Sequence, residues 1–339
     1  MASSVCVSVT MVSLNRETYL AAAVDSILSQ TFGDWELILV DNGSSDGTYD
    51  VMKRYEAGDG RVRAFRRPGL NLPEVRNAAL AHAVGTYVAV LDSDDLAMPD
   101  RLERQIAFME SNPGIAGCGS GFDFIDAAGA SIHVDKYKKR PTDPEELRRL
   151  ERDGWSCFLH SSMIFRRSAL EKAGGYRRAF DTAEDDDLYL RLLDDHDLAN
   201  VPEQLARYRW HGENACTPSL EVQLRRVAAV ASAHMRLNRL PDTVDSHEGD
   251  LDSGFVLAAL ERLGPAAGPA WLFLIGLLQF YRFGQDGLLD RAWRAVLALP
   301  ADHAADPEVL RHWRNFRRDF PKEAESVARN TEAARRLPH

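Results

Sequence analysis

Apolar residues in the first two thirds of the chain recur at two periods, and the switch between them marks out the elements. Over residues 5–12, Val5, Val7, Val9 and Met11 alternate with smaller or polar residues, the period of a strand. Over residues 15–30, Leu20, Val24, Ile27 and Leu28 recur at helical spacing. Residues 36–40 then form a continuous apolar strand, and residues 48–56 a second helix. A short strand over 62–65 precedes a helix over 73–83, which Pro73 opens at a favourable N-terminal position. Residues 87–91 predict a fourth strand and residues 99–111 a fourth helix.

Short apolar strands alternating with helices predict an α/β fold, a mostly parallel sheet with helices on both faces. In such sheets ligands lie beyond the carboxyl ends of the strands. The two richest polar loops, residues 41–47 and 92–95, each follow a strand directly. The topology therefore places them at one sheet edge, within reach of one ligand.

Beyond residue 115 the pattern is less regular. Residues 122–125 and 131–134 predict a hairpin around Asp126-Ala127-Ala128-Gly129. A strand is expected over 160–165, then a short helix capped by Ser168 and ended by Gly174-Gly175. Residues 184–194 predict a helix with an acidic start, and residues 206–210 a last strand. After Cys216 the pattern turns helical: Leu220, Leu224, Val227 and Ala231 lead, a polar linker covers 241–252, and helices are expected over 257–263, 271–280, 288–299 and 309–316. The expected organisation is one α/β domain over residues 1–215 and an all-helical region over 216–339.

Composition narrows the class. The chain has 339 residues, 45% of them apolar and 27% charged, enough for about two ordinary domains. A net charge of -10 argues against a nucleic-acid partner, which favours a basic face. Cys6, Cys118, Cys157 and Cys216 have neither metal-ligand spacing nor the density of a disulfide framework, and read as reduced thiols. The first residues carry no signal-peptide pattern, so a cytoplasmic location is expected. Residues 263–281 hold no charge, but Gly264, Pro265, Gly268 and Pro269 break the segment before it reaches the ~20 residues of a spanning helix. A buried helix is expected there, with contact at the inner membrane surface as the alternative.

Several chemistries are excluded by motif. No Gly-rich phosphate loop follows the first strand, no histidine pair has zinc spacing and no nucleophile elbow occurs. What the chain offers is acid. Asp41 follows the second strand, Asp92-Ser93-Asp94-Asp95 follows the fourth, and Glu184-Asp185-Asp186-Asp187 opens a helix. Clustered carboxylates at a strand end are hard oxygen ligands suited to a divalent cation that carries a diphosphate. Each station also has a plain structural reading. Asp41 beside Asn42-Gly43 can cap a turn, acids at residues 184–187 complement a helix dipole, and His211, Trp155, Trp210 and Tyr176 can serve packing alone.

Five segments occur together in order: residues 7–16 (VSVTMVSLNR), 40–48 (VDNGSSDGT), Arg76-Asn77-Ala78-Ala79, Leu91-Asp92-Ser93-Asp94-Asp95, and residues 174–192 with Gly174-Gly175-Tyr176 and Glu184-Asp185-Asp186-Asp187. Over residues 5–215 this set resembles family 2 glycosyltransferases of the GT-A, Rossmann-like fold. The resemblance implies a donor half near residues 1–112 and an acceptor half near 113–215. It implies a nucleoside-diphosphate sugar, UDP most commonly, a divalent cation such as Mn or Mg, and transfer to an acceptor hydroxyl with inversion. Carried over by position, Asp185 is the general base. Val12, Asn15, Asp41, Arg76, Asp92, Ser93 and Asp94 face the donor, with Asp41 by the nucleobase and Arg76 close to it. Asp94, Asp95 and His211 are the metal candidates, with Asp92 an alternative to Asp95.

Two departures stand out. Leu14 replaces an aromatic common in relatives before Asn15, and Asn71 stands where a glycine is common ahead of the Arg-Asn pair. Residues 136–140 (KYKKR) lie where relatives carry an acceptor loop. The acceptor itself, a glycan, a lipid-linked sugar, a peptide or a small molecule, is not encoded in any motif. Two other readings compete: a silent nucleotide-sugar-binding module, and a nucleotidyltransferase, for which Ser13-Leu14-Asn15-Arg16 is a poor triphosphate loop.

Overall fold

The computed structural model describes residues 5–133, 140–211, 219–244, 247, 249–264, 271, 274–275, 288–297, 307–319, 324–325 and 327–328. The chain divides into two compact units. The first comprises residues 1–151 and 156–215, the second residues 152–155 and 216–339.

In the first unit β1 (Val7–Ser13), β2 (Trp35–Asp41), β3 (Val62–Arg66) and β4 (Tyr87–Val90) are connected by α1 (Glu17–Leu28), α2 (Thr48–Gly58) and α3 (Leu72–Leu80). Next come β5 (Leu96–Ala97), α4 (Arg101–Ser111), β6 (Ile115–Ile125), β7 (Ser131–Ile132) and α5 (Pro144–Arg152). The unit closes with β8 (Ile164–Arg166), α6 (Arg167–Ala173), α7 (Glu184–Asp195) and β9 (Asp197–Arg209). One sheet runs β3-β2-β1-β4-β8-β6-β9-β5, with β7 paired to β6. Its first four strands are parallel. Beyond β4 the sheet is mixed: β8 is antiparallel to β4 and β6, and β9 is parallel to β6.

The α/β architecture expected from the period switch is present, and its physical basis is visible in β2. All seven residues of β2 are buried, yet they feed two cores by turns. Leu37 and Leu39 join Val7, Val9, Met11, Leu20, Val24 and Ile27 on one face. Ile38 and Val40 join Val75, Val88, Leu170, Leu188 and Leu192 on the other. Because side chains alternate across a strand, a continuous apolar run serves a sheet covered on both sides.

Several boundaries differ from expectation. The strand expected over 160–165 begins as a 3-10 turn, His160–Ser162, and only Ile164–Arg166 pairs. Ser168 does not cap α6: Arg166 holds the cap position without a side-chain bond. The last strand starts nine residues before the expected residue 206, at Asp197, because its first half pairs in parallel with the buried stretch of β6. Strand β5 and helix α5 are not among the expected elements, although Leu147 and Leu150 of α5 recur at helical spacing and pack on the second core.

In the second unit the described helices are α8 (Leu220–Leu237), α9 (Ser253–Leu263), α10 (Leu288–Leu297) and α11 (Pro307–Asp319). Ser219 caps α8 through Val222 N–H, and Asp252 caps α9 through Phe255 N–H. Trp293 of α10 lies 5.0 Å from Trp313 of α11, ring centre to ring centre. Most of the uncharged segment 263–281, Cys216, and residues 136–139 of the basic loop lie outside the described residues. Among the described residues no helix is long and apolar enough to cross a membrane.

Candidate active site

The carboxyl ends of β1, β2 and β4 bring three loops together. The first turns at Asn15, whose φ of 53° lies in the left-handed region. Asparagine tolerates that conformation better than most residues. The turn lets the Asn15 Oδ1 accept the Ser45 N–H at 2.9 Å, while the Asn15 N–H donates to Ser44 Oγ at 2.9 Å. Arg16 N–H donates to Thr48 Oγ1 at 2.8 Å. The first and second loops are thereby stitched together. The exposed Leu14 side chain is not part of this stitching.

Asp41 is fully buried and accepts the N–H groups of Gly43 and Ser44, both at 3.1 Å. Gly43 has a φ of 91°, and a Cβ there would lie 2.8 Å from Pro68 Cβ, so the turn demands glycine. The turn-capping reading of Asp41 is what its hydrogen bonds display. Its guanidinium partner is Arg66, at 3.1 Å.

Arg76 is presented by α3. Asn71 accepts the Glu74 N–H at 3.1 Å and Glu74 accepts the Asn71 N–H at 3.0 Å, a reciprocal capping box. The asparagine that replaces the common glycine thus sets the start of α3. From this helix the buried Arg76 donates to Glu184 at 2.8 Å and to Asp92 at 3.1 Å. Burial alone would lower its pKa, but Asp92 and Glu184 outweigh burial and hold the guanidinium charged. Asn77 fastens the next segment, accepting Tyr176 N–H at 2.9 Å and donating to Tyr176 C=O at 2.7 Å. A Cβ on Gly175, whose φ is 69°, would come within 2.5 Å of Asn77 Oδ1. The Gly-Gly-Tyr motif and the Arg-Asn pair are therefore two halves of one contact.

At the end of β4 the acids have distinct surroundings. Asp94 Oδ2 lies 3.0 Å from Arg16 Nε and 3.0 Å from His211 Nε2. The His211 ring stacks on Tyr19 of α1, with centroids 4.8 Å apart. Arg209 donates from Nε to Asp94 C=O at 2.7 Å. Ser93 is buried and accepts the Ser13 hydroxyl at 3.0 Å. Asp95 is buried too: Oδ1 accepts the Arg209 N–H at 2.7 Å, and Oδ2 makes no hydrogen bond. Burial, then the Asp94 and Asp92 charges, hold its carboxyl well above the usual range. Val12, a donor candidate, packs its side chain partly buried against the second core.

Among the described residues no group of three His, Cys, Asp or Glu side chains is arranged to hold a metal. Asp94 and His211 form a convergent pair, and they fit a divalent cation that takes its other ligands from phosphate oxygens and water. Asp94 Oδ2 and His211 Nε2, 3.0 Å apart, are a carboxylate oxygen and an imidazole nitrogen, donors that such a cation would take. Asp95, the third metal candidate, gives Oδ1 to the β9 backbone and leaves Oδ2 without a hydrogen-bond partner. Asp92 is taken by Arg76.

The second acid station, the start of α7, is built differently. Asp187 receives Arg177 Nε at 3.1 Å and Arg191 Nε at 2.9 Å. Glu184 receives Arg76, yet burial still pushes its carboxyl up. Asp185 accepts only a hydrogen bond from Asp186 N–H among the described residues, at 2.9 Å. Burial, then Asp186 and Glu184, hold Asp185 well above the usual carboxylate range. Behind it, buried His160 bridges Tyr189 OH at 2.7 Å and Tyr176 OH at 2.9 Å. Burial and the Arg76 charge push this imidazole well below its ordinary pKa, so it stays neutral and satisfies both hydroxyls.

Sequence reasoning missed Arg16, Tyr19, His160, Ser161, Arg209 and the Arg76–Glu184 pair. None has a local signal, since each acts through a partner remote in sequence. Ser161, for example, accepts the Asp92 N–H at 3.0 Å from 69 residues away.

Residues 8–174 match the family model described as glycosyl transferase family 2. The putative glycosyltransferase EpsE of Bacillus subtilis (strain 168) is 37% identical over 196 residues, covering 56% of this chain and 67% of that one. The O-antigen biosynthesis glycosyltransferase WbnJ of Escherichia coli is 31% identical over 214 residues, covering 61% and 81%. Among solved structures, S. aureus TarS 1-349 in complex with UDP-GlcNAc superposes with a TM-score of 0.64 at 16% identity, covering 96% of this chain and 92% of that one. At that identity the likeness is one of fold.

Proposed function

The chain belongs to glycosyl transferase family 2, and from that membership we propose that it moves a sugar from a nucleoside-diphosphate sugar to an acceptor hydroxyl in one inverting displacement, with Asp185 as the base. The chemistry is assigned to residues 1–215. The observation that carries the proposal is the Arg76 bridge, which ties Glu184, next to Asp185, to Asp92 at the end of β4.

An acceptor hydroxyl is a weak nucleophile. A carboxylate that takes its proton as the new bond forms contributes typically ~10²- to 10⁴-fold. A carboxyl whose surroundings raise its pKa is the stronger base once ionised, and half-buried Asp185 has that character. It has no arginine to weaken it by direct contact among the described residues, unlike its neighbours Glu184 and Asp187. A single base gives one displacement and hence inversion. The loops stitched by Asn15, Asp41 and Ser45 form the donor side. UDP is the proposed nucleotide, in keeping with the UDP-GlcNAc held by the S. aureus TarS fold relative. A divalent cation on Asp94 and His211 would supply Lewis-acid neutralisation of the leaving diphosphate.

The test is transfer from UDP-, GDP- and dTDP-sugars to an acceptor panel with Mn2+ or Mg2+, with the anomeric configuration of the product read by NMR. Retained configuration would sink the single-displacement reading. Full activity in Asp185→Asn would remove Asp185 as the base.

A further inference from the structure

Three carboxylates within four residues repel one another, and a site that waits for a metal needs something to offset them meanwhile. Arg76 offsets Asp92. Asp95 is turned inward onto the Arg209 N–H. Asp94 is met by Arg16, whose Nε lies 3.0 Å from Oδ2. That is the same oxygen that faces His211 Nε2 at 3.0 Å. The Arg16 backbone is anchored through its N–H to Thr48 Oγ1, and its Nη1 donates to Asn15 C=O at 3.1 Å. Both ends of this arginine are thus held, and its side chain is mostly buried against Asp94. A guanidinium and a divalent cation compete for one carboxylate oxygen: the contact that neutralises Asp94 also covers the ligand.

We propose that Arg16 is the resident counter-ion of the Asp94–His211 pair. It neutralises Asp94 while no divalent cation is bound, and a cation must displace it to bind. Free metal therefore binds weakly, and metal that arrives with a nucleoside diphosphate binds better, because the diphosphate offers the released guanidinium a new anion. The inference rests on the reading that Asp94 and His211 hold the cation.

The experiment follows the EPR signal of free Mn2+ during titration of the full chain without nucleotide. Wild type is compared with Arg16→Gln, Arg16→Met and Asp94→Asn. Loss of a charge-assisted hydrogen bond that metal must otherwise break is expected to tighten Mn2+ binding about 10-fold in both Arg16 variants. Asp94→Asn abolishes the binding. Unchanged or weaker affinity in folded Arg16 variants, with Asp94-dependent binding intact, overturns the role of Arg16 and leaves the metal reading standing. Absence of Asp94-dependent Mn2+ binding in every protein, with UDP present as well as absent, overturns both.

Discussion

The two acid stations of this protein have similar composition and opposite construction. At the end of β4, Asp92 and Asp94 each face an arginine, and Asp94 also faces a histidine. At the start of α7, Glu184 and Asp187 face arginines, but Asp185 between them has a backbone N–H as its hydrogen-bond partner among the described residues. On the proposed reading, the first station would hold cations and the second would keep one carboxyl basic. Arg76 belongs to both, since one buried guanidinium spans Asp92 and Glu184. Acid clusters in a sequence thus carry little meaning until their counter-charges are known. The same residue type becomes ligand, anchor or base according to what the fold places beside it.

Replacing the proposed base is the sharpest way to break this contrast. Asp185→Asn is expected to lower kcat by ~10²- to 10⁴-fold with little change in donor KM, measured by nucleotide release. Asp94→Asn is expected instead to raise the Mn2+ concentration needed for half-maximal rate. If both variants lose the same property, the two stations are not distinct.

Removing the shared arginine comes next. Arg76→Leu leaves Glu184 buried and unpaired, and breaking a buried pair costs about 3–5 kcal/mol. Thermal melts should show a large fall in Tm, and Arg76→Leu with Glu184→Gln should recover part of it. No recovery would mean that the pair is not what the melt reports.

The pH dependence sharpens the role of Asp185. Its raised pKa places the acid limb of kcat/KM above the ordinary carboxylate range, with activity rising as pH rises through that limb. Stability moves the other way. A carboxyl whose folded pKa is raised contributes stability that is fully present below its unfolded pKa and is lost as pH rises through the folded one. The Tm of Asp185→Asn minus that of wild type should therefore grow with pH across the same window. A difference that is flat with pH would place the ionisation elsewhere.

The smallest effect concerns the support behind the base. Tyr176→Phe removes one hydroxyl from buried His160 and should cost ~1 kcal/mol, read as a modest drop in denaturation midpoint. A loss of kcat as large as that of Asp185→Asn would promote Tyr176 from support to chemistry.

Much of this was legible in the chain. The period switch set out β1 to β4 and the helices between them: β2 and β4, buried along their whole length, read as unbroken apolar runs, and β1 as an alternating one. The positions of Asp41 and Asp94 just beyond strands, and of Asp185 at a helix start, follow from the same element boundaries. Asn71 was legible only as a departure, and its physical sense came with the capping box it forms with Glu74.

The sequence by itself determined which residues carry charge, which faces are apolar and where the chain turns, since those depend on neighbours a few residues apart. The tertiary structure alone decided that Arg66 meets Asp41, that Arg76 joins Asp92 to Glu184, that Arg16 and His211 converge on Asp94, and that Asp95 turns inward. Partners such as Asp94 and His211 are 117 residues apart. Their pairing is set by sheet order and by the length of β9, which long-range strand pairing fixes and no local pattern records.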